Sequence, residues 1–327
     1  MNILLITRSQ DQYCTPLVMD AIQQRGGNAI RLDTDRIPTS DKLSLAMGKD
    51  TDHIEFHGAH GKIDLRTIDA LYYRRFAPGD ALPQDMPTQY RAAAVKETRL
   101  MLLGLLYGLN CFQLDGYEKV RRAETKQLQL QMARAVGLEI PDSLSTNDPE
   151  AVRAFAAGHP AGIVGTMMGS FAIYEDGLEK VVFTNRISDD DLAHLDSLAL
   201  SPMTFQENIP KALELRVTVV GERVFAASID SQASARAGTD WRKDGNAMIE
   251  QWQHHVLPAD VQQKALRLMD KFGLNYGAMD FILTPDGRYV FLEVNPAGEF
   301  MWLLKWPGLP IADALADVLM GLAARRA

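Results

Sequence analysis

The stretch Gly277-Ala-Met-Asp-Phe-Ile-Leu-Thr-Pro-Asp-Gly-Arg-Tyr-Val-Phe-Leu-Glu-Val-Asn-Pro-Ala-Gly298 holds two apolar runs rich in β-branched and aromatic residues. Thr284-Pro285-Asp286-Gly287 joins them, and this is a hairpin signal. Strand side chains alternate in facing, so Glu293 and Asn295 share one face. With a four-residue loop, Asp280 sits directly opposite Glu293. Three oxygen-bearing side chains then converge at the end of a hairpin otherwise built of Phe, Ile, Leu and Val. Two carboxylates facing each other inside apolar walls repel and lose solvation unless a cation neutralises them. Carboxylate and amide oxygens without His or Cys suit Mg2+ or Mn2+, and Mg2+ usually arrives carrying phosphates. The alternative is an ordinary edge hairpin with solvated acids. Pro296-Ala297-Gly298, which ends the strand sharply beside the acids, favours the metal.

At 327 residues and 46% hydrophobic, the chain can bury a substantial core divided among two or three domains. A net charge of -8 argues against nucleic acid or an anionic membrane as the main partner. Met1 to Arg8 reads as a first strand, too short for a signal-peptide core. The apolar run Leu100 to Leu109 is about half the length that spans a bilayer. Cys14 and Cys111 form no metal spacing and read as reduced thiols of a cytoplasmic protein.

Three parts follow one another. Residues 2–7 form a strand, Thr15 to Arg25 a helix and Ala29 to Leu32 a second strand, an α/β alternation of doubly wound type. The first strand-to-helix turn, Thr7-Arg8-Ser9-Gln10-Asp11, lacks the Gly-rich phosphate fingerprint, which argues against a dinucleotide there. A later strand, Ala70 to Phe76, contains Arg74 and Arg75. These either grip substrate carboxylates or are surface arginines at a strand end. Arg91 to Gly108 reads as a long helix, Asn110 to Leu114 as a short strand, and Arg121 to Gly137 as one helix. Strands follow over Ile163–Met168, Phe171–Tyr174, Val181–Asn185, Met203–Glu207, Glu214–Val220 and Arg223–Ile229. A helix over Ala259–Phe272 leads to the hairpin.

The order of Lys126 on a helix ending in Gly137-Leu-Glu-Ile-Pro141, Phe205-Gln-Glu-Asn-Ile209, Glu214-Leu-Arg-Val-Thr-Val-Val220, Asp280, then Glu293-Val-Asn295 resembles the ATP-grasp superfamily. More narrowly the chain is similar to the microviridin or graspetide maturases, the ligases that cross-link ribosomally made peptides. That likeness rests on Gln206 to Lys211, Glu214-Leu-Arg216, Asp240-Trp241-Arg242 and Tyr289 to Gly298. It implies an ATP-grasp fold with a doubly wound pre-ATP-grasp domain over residues 1–115. A central subdomain over 116–190 and a C-terminal subdomain over 191–327, with the metal and nucleotide site, would follow.

The resemblance also implies roles. Such a ligase phosphorylates a carboxylate and lets an amine or hydroxyl attack the acyl phosphate, so the protein must align oxygens and neutralise charge. Mg2+ (or Mn2+) on Asp280, Glu293 and Asn295 would bridge ATP phosphates. Arg216 would meet the transferring phosphoryl group, or else form a structural ion pair with Glu214 or a neighbour. Glu207, Asn208 and Ile209 would take the adenine edge, while Lys126 and Lys211 would reach phosphate or substrate. Asp240, Trp241 and Arg242 follow a Ser/Ala/Gly-rich stretch composed like a lid. There Arg242 would meet an acyl group, and Trp241 would contact substrate or pack on the core. The implied partners are a precursor peptide, its leader helix docking near the Phe171 to Thr184 hairpin, and a second copy of the chain.

One departure stands out. Members of the superfamily usually place a second nucleotide-binding lysine on the first strand of the central unit, where this chain has Thr166 (or Gly165). A lost charge-assisted phosphate contact costs about 1.5–3 kcal/mol, or roughly ten- to a hundredfold in affinity. Lys180 is a candidate replacement. Two other readings stay open: a RimK-like ligase adding a free amino acid to a peptide end, and a nucleotide-regulated peptide-binding protein. His254-His255 reads as a surface pair, having no matching metal-ligand spacing.

Overall fold

A computed structural model describes residues 1–49, 52–59, 61–166, 172–175, 178–181, 184–233 and 245–326. The N-terminal alternation holds, as β1 (Asn2–Thr7), α1 (Cys14–Gln24) and β2 (Asn28–Asp33). A small antiparallel sheet unread in the sequence follows, made of β3 (Lys42–Met47), β4 (Asp52–Gly58) and β5 (Gly61–Asp64). Then come β6 (Ala70–Tyr73), α2 (Thr88–Gly108) and β7 (Phe112–Leu114). The parallel sheet runs β2-β1-β6-β7. Ile3 and Leu5 of β1 pack on the α1 side, and Leu4 and Ile6 on the α2 side. Both faces are covered, which is what a parallel sheet requires. The expected strand through Phe76 stops at Tyr73, where Arg74 turns into a buried ion pair.

The single helix expected over Arg121–Gly137 is two, α3 (Tyr117–Ala123) and α4 (Lys126–Ala135). Thr125 between them is extended, with ψ 101°. The Gln129 side chain donates to the Ala123 carbonyl across the break at 2.6 Å. Lys126 therefore opens a helix instead of lying within one. Gly137 ends the run with φ 84°, a conformation that costs glycine little. Next come β8 (Ser143–Thr146), α5 (Pro149–Ala157), β9 (Ile163–Thr166), β10 (Ala172–Glu175), β11 (Leu178–Val181), β12 (Asn185–Arg186), α6 (Asp189–Ala193) and β13 (Met203–Glu207). The sheet order is β12-β9-β13-β8, with β10 and β11 paired apart. Strand β13 lies past residue 190 yet pairs with β8 and β9, so this sheet draws on both sides of that position. Ile163 and Phe205 pack on Val152, Leu195 and Leu198, which turns the alternate residues Thr166 and Thr204 to the other face.

The C-terminal sheet is built from β14 (Leu213–Val220), β15 (Arg223–Ile229) and, after the short α7 (Gly245–Met248), β16 (Gln253–His254). Helix α8 (Ala259–Phe272), β17 (Tyr276–Leu283), β18 (Tyr289–Asn295) and α9 (Ile311–Leu319) complete the chain. Strand order is β16-β15-β14-β17-β18. Val261, Ala265, Leu268, Met269 and Phe272 form the buried stripe of α8 against one face. Helix α9 and Trp302 cover part of the other. Among the described residues no helix is long and apolar enough to cross a membrane, and both cysteines are free.

The decisive detail is in β17 and β18. Leu283 pairs with Tyr289, so residues 284–288 form the loop, one residue longer than expected. Asp280 still pairs with Glu293, because the register shifts between Asp280 and Phe281. Phe281 opposes Phe291, so Leu292 is the extra residue. Phe291 and Val294 join the core under α8, whereas Leu292 packs with Ile209, Ile282 and Val290. This bulge turns Glu293 away from the side that buries Phe291.

Candidate functional site

Four strand residues and one helix residue meet on one face of the C-terminal sheet, toward its edge strand β18. Arg216 of β14 pairs in register with Asp280 of β17, which pairs in register with Glu293 of β18. The Arg216 Nη1 lies 3.2 Å from Asp280 Oδ1. From the first turn of α4, Lys126 Nζ lies 3.0 Å from Glu293 Oε2. Asn295 Nδ2 donates to Asp280 Oδ2 at 3.3 Å and to Glu293 Oε1 at 3.1 Å. Two carboxylates are thus held together by an amide and flanked by two cations, which offsets the repulsion their proximity creates.

This donor set fits a hard cation. Asn295 now turns its N–H groups toward both carboxylates, and an amide flip would turn its oxygen there instead. Among the described residues no three His, Cys, Asp or Glu side chains gather as a metal cluster. Two carboxylates and one amide leave most of an octahedral shell to phosphate and water, which suits Mg2+ arriving with a nucleotide. The Arg216 guanidinium is 7% exposed and stacks 5.5 Å over the Trp302 ring. Its Nε has no hydrogen-bond partner among the described residues, an expensive state for a buried donor.

The other expected site residues are placed variously. Lys211 Nζ pairs with Glu214 Oε1 at 3.0 Å, so Glu214 takes Lys211 and Arg216 takes Asp280. The Glu207 carboxylate accepts from the Asp142 N–H at 3.0 Å. The Asn208 N–H donates to the Gly162 carbonyl at 3.0 Å, so the expected backbone contact to a base must come from its carbonyl or from Ile209. The Ile209 side chain, with Ile282, Val290 and Leu292, makes an apolar patch beside the carboxylates. Thr166 stands in a row of hydroxyls. Its Cα partner is Thr204, Thr204 Oγ1 bonds Ser145 Oγ at 2.8 Å, and Gln127 Nε2 donates to Ser145 Oγ at 3.2 Å. This row runs from Thr166 toward the start of α4 next to Lys126. Asp240, Trp241 and Arg242 lie outside the described residues, as does the side chain of Lys180.

Arg74 departs from expectation. Its side chain is 1% exposed and its Nε lies 2.7 Å from Asp11 Oδ2, so it grips the chain's own acids instead of a substrate carboxylate. Its Nη2 meets Glu299 Oε2 at 2.5 Å and its Nη1 the Gly298 carbonyl at 3.3 Å, tying the N-terminal sheet to the turn after β18. Burial pulls the Asp11 pKa up, but Arg74 and the hydroxyls of Thr15 and Thr7 outweigh it and hold it at about 2. Burial likewise raises Glu299, and Arg74 and Arg75 bring it below the ordinary carboxylate range. Cys14, which donates to Glu299 Oε2 at 2.9 Å, is pushed up to about 12 by burial, so its thiol stays protonated. Arg75 bonds Glu299 and the Ala297 carbonyl but remains one-quarter exposed.

One positioning residue was missed. Gln129 is 3% exposed, and its side chain bonds both backbone groups of Val294, between Glu293 and Asn295. A glutamine within a helix pattern gives no sequence signal of this kind.

The architecture is an ATP-grasp fold preceded by a doubly wound domain, and comparison with known proteins agrees. A family model described as the MvdD pre-ATP grasp domain matches residues 2–121. The macrocyclase MdnC from Microcystis aeruginosa MRC, solved bound with precursor peptide MdnA, is 45% identical; the match covers 98% of this chain and 100% of that one, with a TM-score of 0.90. A RiPP-associated ATP-grasp ligase from Chryseobacterium gregarium, solved with ADP and a leader and core peptide, is 38% identical over 99% and 98% of the two chains, with a TM-score of 0.94. The macrocyclase MdnB, also from Microcystis aeruginosa MRC, is 35% identical over 97% and 98%, with a TM-score of 0.83. No curated protein sequence matches the chain. The chain belongs to the RiPP-associated ATP-grasp ligases, enzymes acting on ribosomally made peptides.

Proposed function

We propose that the chain uses ATP to activate Asp or Glu side chains of a ribosomal precursor peptide and joins each to a Ser or Thr hydroxyl as an ester, or to a Lys amine as an amide. The observation that carries this reading is the Asp280, Glu293 and Asn295 set facing Arg216 and Lys126. Asp280, Glu293 and Asn295 would hold Mg2+ with the nucleotide, and the ion would neutralise charge at the phosphates. Arg216 is assigned to an equatorial phosphoryl oxygen, which suits its planar fork, and its Nε, without a partner among the described residues, is a donor ready for one. Lys126, at the positive end of α4, attracts phosphate. The apolar patch under Ile209 suits the adenine ring, and Thr166 and Lys211 are assigned to the nucleotide. Asp240, Trp241, Arg242 and Arg75 are assigned to the peptide.

In this reading a substrate carboxylate oxygen attacks the γ-phosphorus and ADP leaves. The hydroxyl or amine then attacks the acyl carbon and phosphate departs with its electron pair, so one water equivalent is lost per bond. A leader helix docking near the β10–β11 hairpin, a homodimer and a cytoplasmic setting complete the proposal. Thr166 in the lysine position favours a slow enzyme or a nucleotide-regulated peptide binder as the second reading. Incubation with MgATP and a precursor encoded nearby tests the proposal, with ADP release and loss of water mass as readouts. ATP turnover stimulated by a free amino acid, with mass gained at a peptide end, would favour a RimK-like reaction.

A further inference from the structure

Beside the cleft, the end of β6, helix α2 and helix α3 enclose a cavity of about 160 Å3. Its walls include the rings of Tyr73, Phe76 and Tyr117 and the guanidinium groups of Arg75, Arg99 and Arg121. Its guanidiniums differ in their partners. Arg74 pairs with Asp11, Arg75 with Glu299, and Arg121 with Glu124. Arg99 has no ion-pair partner among the described residues; Glu118, the nearby acid on α3, acts on the Tyr107 hydroxyl. The Arg99 Nη2 donates to the Tyr117 hydroxyl at 2.6 Å, and its Cζ lies 5.2 Å from the Phe76 ring centroid. A guanidinium held rigid on aromatic faces, with fork donors to spare, is preorganised for an anion.

We propose that this cavity is a subsite for one acidic side chain of the substrate peptide, held while another carboxylate is activated. This rests on the ligase reading above. Aromatic walls pack the methylene groups of Asp or Glu, and the fork matches a planar carboxylate. Location supports the assignment. Ala297, which lines the cavity, follows Asn295 by two positions, and α3 leads through Glu124 and Thr125 to Lys126. A peptide anchored here emerges next to the residues assigned to the phosphates. The subsite would make the enzyme prefer cores with clustered acids.

The test uses the capped peptide acetyl-Thr-Asp-Glu-Thr-amide and its Asn/Gln counterpart, titrated calorimetrically into the full-length protein with and without MgADP. Wild type should bind the acidic peptide about tenfold tighter than the amide version, the scale of one charge-assisted contact. Arg99→Met should remove most of that preference, leaving what the activation site contributes, and Arg99→Lys, which keeps the charge, should retain more of it. Arg122→Met, a control on α3 next to the cavity-lining Arg121 but with its guanidinium over Phe272, should keep it in full. An acid preference undiminished in Arg99→Met, or one that Arg122→Met reduces equally, overturns the subsite. Displacement of the peptide by inorganic phosphate at equal ionic strength, dependent on Arg99, would reassign the cavity to phosphate and also overturn it. Failure of MgADP to bind wild type would instead strike the ligase reading and leave the acid preference standing as measured.

Discussion

Gln129 holds Val294 by both ends of its backbone: its Oε1 accepts the Val294 N–H at 2.9 Å, and its Nε2 donates to the Val294 carbonyl at 2.9 Å. The same nitrogen donates to the Ala123 carbonyl at 2.6 Å. One buried amide therefore sets the height of α4 against β18, and with it the distance between Lys126 and Glu293. Gln129→Leu should leave three buried backbone groups unsatisfied and cost about 2–4 kcal/mol of stability. ATP affinity should fall as well, because Lys126 loses its seat. Urea unfolding and nucleotide titration check both, and a variant as stable as wild type would remove Gln129 from the account.

The carboxylate pair should bind metal only together with nucleotide. In calorimetric titrations, Glu293→Gln should weaken ATP binding in the presence of Mg2+ by about tenfold or more, the worth of a strong charged contact. Without Mg2+ it should not weaken binding, since the substitution also frees Lys126 from its 3.0 Å partner. Equal affinity of variant and wild type in Mg2+ would sink the assignment.

The lock between the N-terminal sheet and the C-terminal turn predicts acid sensitivity. Asp11 sits at about 2 in the fold against an ordinary 3.8, so its contribution is fully present above pH 3.8 and is lost as pH falls toward 2. A shift of that size is worth on the order of 2 kcal/mol. Asp11→Asn should therefore flatten the stability curve between about pH 4 and pH 2, measured by thermal melts. A curve as steep as that of wild type would show that other groups carry the acid response.

Thr166→Lys should tighten ATP binding, most visibly at low salt, because a compact charge joins phosphates already served by Lys126 and Arg216. Turnover need not rise with it, since tighter ground-state binding does not speed chemistry. Weaker binding would mean that Lys180 or Lys211 already occupies the position.

Much of this site was legible where local pattern and tertiary environment agree. Alternation marked Met203–Glu207 and Arg223–Ile229, helical periodicity marked Ala259–Phe272, and each holds at those bounds. The pairing of Asp280 with Glu293 was also readable, but its cause was not. The bulge at Leu292 falls in Phe291-Leu-Glu-Val294, which has no glycine or other local marker, and only burial of Phe291 and Val294 explains it. The break before Lys126 depends on Gln129 reaching across it. Arg74 read as a possible substrate contact because its partner, Glu299, lies 225 residues away. The short β3 to β5 sheet carries too many polar residues for its alternation to stand out.

The central claim is that Arg216, Asp280 and Glu293 serve ATP-driven bond formation on a peptide. The most direct measurement is a mass spectrum of the neighbouring precursor peptide after incubation with MgATP, alongside ADP quantified in the same reaction. Wild type should remove one water mass per ADP formed, with new linkages between acidic and hydroxyl or amine side chains. Arg216→Lys, folded by circular dichroism, should lower that rate far more than it weakens ATP binding, because the contact tightens as charge develops. Unchanged peptide mass despite bound MgATP, or a near-wild-type rate in Arg216→Lys, would contradict the account.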